Sequence, residues 1–435
     1  MYRGMWYAMA IAVAAGTALP ALAQDSELSQ LREELKRLQQ RIEDLEKRRE
    51  APPASAATAP KAAAESTFNP GITLILQGTV ARSSREPGRY AITGFAPSGG
   101  EVGPAPRGFG LGESELIVSG NVDPYFRGQL VAALTPENEV EVEEAFFQTL
   151  ALGSGFTLKG GRFLSGIGYQ NEIHQHAWDF QDAPLAYKAF LGGRLNDDGV
   201  QLRWVAPTQL FLELGAELAR GRSFPDTERT RNGRAASSFF GHAGGDFGGG
   251  GSWRAGLSHL RASPRERAFE DLDSVGNPVV QAFSGTSRLW IADLVLKWPK
   301  VKLQGEYFRR REKGSLDYDG IASSGYASRQ SGWYAQAVYQ LMPRWRAGYR
   351  FDSLRHGKVS NGLPGAGVGL GAGDFPLLMS EHNPRRSTAM IDWSPTEFSR
   401  LRLQLAIDRS AQGITDRQAL LQYIHSLGAH GAHGY

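Results

Sequence analysis

Residues 400–408 read RLRLQLAID, and the alternation within this stretch decides the fold. Leu401, Leu403, Leu405 and Ile407 fall on one face, with Arg400, Arg402, Gln404 and Asp408 on the other. A period of two marks a strand that keeps one face in an apolar medium and one in water. The same pattern recurs upstream. Trp290, Ala292, Leu294, Leu296 and Trp298 oppose Asp293 and Lys297. Leu210, Leu212, Leu214, Ala216 and Leu218 oppose Glu213 and Glu217. Arg344, Arg346 and Arg350 share a face opposite Trp345, Ala347, Tyr349 and Phe351.

Sixteen such segments are predicted, near 71–82, 111–122, 125–134, 139–151, 155–165, 198–206, 209–220, 236–248, 251–262, 286–298, 300–312, 328–341, 343–355, 384–394, 397–408 and 417–427. Tight turns join them at Asp123-Pro124, Gly153-Ser154, Pro207-Thr208, Gly249-Gly250, Pro299, Met342-Pro343 and Ser394-Pro395. On the alternate connections lie mostly long polar loops at 83–110, 135–138, 166–197, 221–235, 263–285, 313–327, 356–383 and 409–416. Short turns at one rim and long loops at the other predict an all-β fold, a transmembrane antiparallel β-barrel of about 16 strands. An even count leaves both chain ends at the short-turn rim. A soluble β-sandwich would bury its apolar faces and has no need of this alternation.

Composition agrees. The 435 residues include 53 glycines and no cysteine, which excludes disulfides, thiolate metal sites and cysteine nucleophiles. A net charge of +3 gives no sign of nucleic-acid binding. The mean hydropathy of −0.34 looks soluble, but an average hides the lipid-facing half of a barrel. Beyond residue 23 no stretch approaches the ~20 apolar residues that a membrane helix needs.

The N-terminal region carries three segments. Residues 1–23 read as a secretory signal peptide, with Arg3, an apolar run from Met5 to Leu19 and Ala21-Leu22-Ala23 as the cleavage pattern. Within residues 24–50, Leu28, Leu31, Leu35, Leu38, Ile42 and Leu45 are spaced 3-4-3-4-3, the a/d seam of a short N-terminal coiled-coil helix. Glu27 with Arg32, and Arg41 with Glu46, are attractive contacts across a parallel assembly. Residues 51–67 form a Pro/Ala linker, and residues 68–435 the outer-membrane β-barrel.

The layout resembles that of the phosphate-selective porin O/P family and related Gram-negative trimeric porins, in which a periplasmic coiled coil precedes a barrel of this size. Ala145-Phe146-Phe147-Gln148 followed by Leu158-Lys159-Gly160-Gly161-Arg162-Phe163 resembles that family's strand–turn–strand leading into the third loop. The dense loop rows of arginine and lysine found in phosphate-selective members are not located here, so phosphate specificity does not transfer. Residues 24–70 leave no room for a plug, so no TonB-dependent receptor is expected.

Opposite parity to the apolar face assigns Arg127, Arg203, Arg254, Lys297, Lys302, Arg344, Arg346, Arg350, Arg400 and Arg402 to the pore wall. Seven acids share it (Glu213, Glu217, Asp293, Glu306, Asp352, Asp392 and Asp408), so the basic excess implies at most mild anion preference. Arg344, Arg346 and Arg350 stand out as a selectivity patch. Loop 166–197 is the third long loop, which the resemblance places inside the channel as a constriction carrying His174, His176, Trp178 and Asp179. His174, His176 and Asp179 also form a weak candidate metal set, with His430 and His433 as a second. The acidic run Glu137–Glu144 could bind a divalent cation, but reads first as a solvated rim.

No catalytic constellation or cofactor motif is found, so an enzyme is not expected. The expected function is that of an outer-membrane porin in a Gram-negative bacterium, a homotrimer passing small hydrophilic solutes or ions by diffusion. Its partners are outer-membrane lipid and further copies of itself. Two other readings remain open: a structural envelope protein anchored by the barrel and tethered by the coil, and a metal-linked uptake channel using His174 and His176.

Overall fold

A computed structural model describes residues 70–100, 102–135, 138–221, 234–367 and 369–428. The signal peptide, coiled coil and linker, and His430 and His433, lie outside the described residues. Within them the strands are β1 (Gly71–Ser83), β2 (Gly108–Leu111 with Ser114–Asn121), β3 (Phe126–Leu134), β4 (Val140–Thr149), β5 (Phe156–Leu164), β6 (Asn196–Val205), β7 (Phe211–Ala219) and β8 (Ala236–Asp246). Then come β9 (Ser252–Ala262 with Arg267–Leu272), β10 (Pro278–Lys297), β11 (Val301–Tyr318), β12 (Ala322–Met342), β13 (Trp345–Asn361), β14 (Arg385–Thr396), β15 (Ser399–Arg409) and β16 (Asp416–Gly428). The two segments of β2 pair in turn with β1, and those of β9 with β10, so each is one interrupted strand. The barrel therefore has sixteen strands, all paired antiparallel in sequence order. It closes where β1 meets β16, from Thr73 opposite Gly428 to Ser83 opposite Gln418.

The alternation read from sequence is the alternation of the wall. Arg400, Arg402, Gln404 and Asp408 point inward and are buried, while Leu403, Leu405 and Ile407 face outward and are exposed. Exposed aromatics gather near the short-turn rim: Tyr125, Phe156, Phe211, Phe247, Trp298, Trp345, Trp393 and Phe398. A second set, with Trp290, Tyr307 and Trp333, lies further up the outer wall. Trp290 on β10 and Trp298, one residue past its end, are eight residues apart, about 27 Å of extended chain at ~3.4 Å per residue. Tilted by about 40°, that is roughly 20 Å, near the ~25 Å apolar band of a membrane barrel. Just above, Arg261, Arg288, Arg311, Arg329 and Lys358 stand in register across five adjacent strands, all exposed.

Three regions read as loops are partly strand. β10 to β13 run well past the apolar band, so 278–285, 313–318, 322–327 and 356–361 are extended ladder. Above the hydrocarbon a strand needs no apolar face, and these stretches carry Gly, Ser and Lys, which hides the period of two. The hairpin signal was nevertheless there. Asp319 and Gly320, both at positive φ (53° and 68°), are the central residues of the turn that Ile321 closes by donating to the Tyr318 carbonyl, with pairing resumed at Ala322. Ser394-Pro395 is not the turn either. Both residues belong to β14, Pro395 sits in a register shift between Trp393 and Thr396, and the chain reverses at Glu397-Phe398.

The outward leucines make a direct prediction. Leu405→Arg places a guanidinium in hydrocarbon and should lower folding stability by about 2–4 kcal/mol at the bilayer midplane. Urea titration of protein refolded in lipid vesicles measures this, and no loss would show that this face does not meet lipid.

Candidate functional site in the barrel lumen

Loop 166–197 folds inward and bridges the lumen from wall to wall. Its two ends are tied by Asn171, whose side-chain amide donates to the carbonyls of Ser165 (2.8 Å) and Leu195 (2.9 Å) and accepts from the Leu195 N–H (2.7 Å). The first residues of the crossing hang on two wall carboxylates. Glu217 accepts from the Gly166 N–H at 2.8 Å. Glu306 accepts from the N–H groups of Tyr169 and Gln170 and from the hydroxyls of Tyr187 (2.9 Å) and Tyr334 (2.6 Å). Gly168, at φ 68°, takes a conformation that suits glycine, and a side chain there would overlap Glu306 and the Tyr187 hydroxyl.

The loop then carries a short helix, α1 (Leu185–Leu191), every residue of which is buried. Pro184 precedes it and Gly192 ends it in the left-handed region, the usual order of helix punctuation. Tyr187 and Phe190 pack on Phe308 with ring centroids 5.0 and 6.0 Å away. A Cβ at Gly192 would run into the Gly99 carbonyl, so the first long loop crosses here at backbone contact. Sequence reasoning missed this helix. LAYKAFL is too short for helical periodicity, though its flanking Pro and Gly were a usable signal.

Electrostatic clamps hold the middle of the loop. Asp179 accepts from Lys302 (2.8 Å) and Arg346 (3.2 Å). Burial alone would raise its pKa, but Lys302 and Arg346 hold it down at about 2. The clamp therefore contributes fully above the ordinary aspartate value near 3.9 and is lost only as pH falls through about 2, so it stays closed at pH 5. Asp182 meets Arg350 (3.2 Å), Arg386 and Lys188 (3.4 Å), and Gln404 donates to it at 3.0 Å. Arg400 and Arg402 donate to the Trp178 carbonyl at 3.0 and 2.6 Å.

The structure thus revises the role given to several basic residues. Arg350, Arg400 and Arg402 have no exposure and lie under the loop that they hold, instead of lining an open wall. Arg344 is in the turn before β13, exposed and at φ 71°, so it does not share the inward face of Arg346 and Arg350. Lys297 is exposed at the end of β10, and Arg127 is exposed near the short-turn rim, donating to Ser119. Partly exposed on the wall are Arg203, Arg254, Lys302 and Arg346, each beside carboxylates. Arg203 meets Glu172 and Glu213, Arg254 meets Asp293 at 3.4 Å, and Arg346 meets Asp392 at 2.6 Å.

The histidines find different partners from those expected. Asp179 belongs to the Lys302–Arg346 clamp, so His174, His176 and Asp179 do not form one metal set. Glutamates of the wall take its place: Glu115 on β2, and Glu143 and Glu144 on β4. His174 Nδ1 lies 3.4 Å from Glu115 and 3.3 Å from Glu143, its Nε2 3.1 Å from Glu144, and His176 Nδ1 2.9 Å from Glu115. Consecutive glutamates face inward together because β4 has a register shift. Val131 pairs with Glu144 and Ala132 with Val142, leaving Glu143 as the extra residue of a bulge. The run Glu137–Glu144 is therefore no uniform solvated rim. Glu139 and Glu141 are exposed, Glu143 and Glu144 buried. Glu115, Glu143 and His174 are the described residues whose ligand atoms group closely enough to hold a metal ion.

No family model matches the chain. A protein of Aquifex aeolicus (strain VF5), described as uncharacterized, is 32% identical over 358 residues, covering 76% of this chain and 70% of that one. The chain belongs to the family of that Aquifex protein. Among solved structures, OmpT of Vibrio cholerae with loop L8 deleted, an outer membrane protein, aligns with a TM-score of 0.52 at 9% identity. The anion-selective porin of Comamonas acidovorans aligns at 0.51 and 8%. Each alignment covers 82% of this chain and 99% of the other, and the likeness is one of fold.

Asp182→Asn tests the clamp. It leaves Arg350, Arg386 and Lys188 buried without their shared carboxylate, at a cost of about 3–5 kcal/mol. The expected result is a lower urea midpoint and a larger, noisier single-channel current, and unchanged values would show that the loop is held elsewhere.

Proposed function

We propose that this chain is an outer-membrane porin, passing small hydrophilic solutes by passive diffusion along a path that loop 166–197 narrows. One observation carries this reading: a closed sixteen-stranded wall, apolar outside, encloses a charged loop folded into its lumen. A merely anchoring barrel has no use for so many wall side chains aimed at one crossing loop. The named similarities, an outer membrane protein and an anion-selective porin, support the same class of function.

The short-turn rim faces the periplasm and the long loops face outward. The row of cations from Arg261 to Lys358 suits the headgroup level of the outer leaflet. Outward apolar surface continues to the long-loop end at Phe109 (91% exposed) and Val140 (71% exposed). That side, with the coil, supports assembly into a homotrimer of the kind the resemblance to the porin O/P family implies. Selectivity should be weak, since Arg203, Arg254, Lys302 and Arg346 are each matched by a carboxylate, and the mild anion preference rests on the basic excess, ten to seven, read in the wall sequence.

Purified protein in planar bilayers is expected to open in steps grouped by three, with a small reversal potential of anion-preferring sign in a salt gradient. A protein that never conducts would overturn the porin reading, and deleting residues 25–50 should leave conductance intact if the coil serves assembly alone.

A further inference from the structure

Where loop 166–197 meets β2 and β4, three buried polar atoms converge without hydrogen-bond partners: Glu115 Oε2, Glu143 Oε2 and His174 Nδ1. Glu115 is wholly buried and Glu143 is 2% exposed, so these atoms have no bulk water to fall back on. Two buried carboxylate oxygens thus face one imidazole nitrogen at 3.3–3.4 Å, and a bound cation, taking the place of a proton on Nδ1, would satisfy all three atoms at once.

The remaining atoms of the same side chains are already engaged. Glu115 Oε1 accepts from His176 Nδ1 at 2.9 Å. Glu143 Oε1 accepts from Arg194. His174 Nε2 donates to Glu144 Oε2 at 3.1 Å, and Glu144 is in turn fixed by Gln129 (2.9 Å) and the Leu164 N–H (3.0 Å). This is the division of labour in a metal site: one atom of each ligand toward the ion, the other held by an outer partner that sets its orientation. Donation from Nε2 to Glu144 is the tautomer that leaves the Nδ1 lone pair for a metal.

Spacing agrees. Four ligands at about 2.0–2.1 Å around a tetrahedral zinc stand about 3.3–3.4 Å apart. His174 Nδ1 lies 3.4 Å from Glu115 Oε2 and 3.3 Å from Glu143 Oε2. Charge agrees as well. Glu113, Glu115, Glu143 and Glu144 crowd round His174 and His176, and Arg194 pairs with Glu113 and Glu143. We propose that Glu115, Glu143 and His174 bind one first-row divalent cation, of the zinc class, that staples the crossing loop to β2 and β4. A mixed nitrogen and oxygen set favours such an ion over calcium or magnesium, which take oxygen alone. The two ligands from the wall and the one from the loop lie on separate elements, so the ion fixes where the loop crosses.

The test uses the full chain, refolded in detergent, with Zn2+ and Co2+ as probes. After loading and dialysis, metal analysis should find about one Zn2+ per chain. Co2+ should give the intense visible absorption of a tetrahedral site. His174→Ala and Glu143→Gln should each cut retained zinc at least tenfold and abolish that absorption, with the barrel still folded by its heat-modifiable mobility on gels. Removing the metal from the native chain should lower its melting temperature, a shift that His174→Ala no longer shows. No retained metal in the native chain, or equal retention in both variants, would overturn the proposal. Conductance is recorded separately, so a failed site and a failed porin reading are told apart.

Discussion

A strand in hydrocarbon cannot leave its backbone N–H and C=O groups unmet, so the ladder must close on itself. In this chain the closure is the pairing of Gly71–Ser83 with Asp416–Gly428, the first strand of the wall with the last. Once closed, each residue has only two directions open to it, outward to lipid or inward to the lumen. Everything else follows from that division. Among the described residues, most exposed leucines and aromatics face outward, and charge goes inward or to the two rims.

Charge turned inward needs partners, because the lumen is not wide open. Loop 166–197 supplies them. Asp179 and Asp182 answer Lys302, Arg346, Arg350 and Arg386, and backbone carbonyls answer Arg400 and Arg402. In return, wall glutamates at 217 and 306 accept the loop's own N–H groups. The wall and the loop are thus mutually satisfying, and the residues that look like a free pore lining in one dimension serve as fasteners in three.

The wall was legible in sequence because strand parity is local: sixteen segments were readable from the alternation and sixteen strands are present. Errors arose where a local rule stopped applying. Above the apolar band, 313–318 and 322–327 carry no hydrophobic period, so the ladder continues unseen, although Asp319-Gly320 marks its turn. At β4 the bulge breaks the period of two, and Glu143 and Glu144 turn inward together.

The candidate site was legible only in part. His174 and His176 stood out as a pair, but Asp179, near in sequence, faces other charges, and the glutamates that meet the pair come from residues 115, 143 and 144. By itself the sequence determined the barrel, its strand number and which face of each strand meets lipid, since these rest on periodicity within a dozen residues. Tertiary structure alone decided which charges meet. Pairing across a lumen depends on shear, on bulges and on the path of a loop through the interior, none of which leaves a mark in the spacing of neighbouring residues.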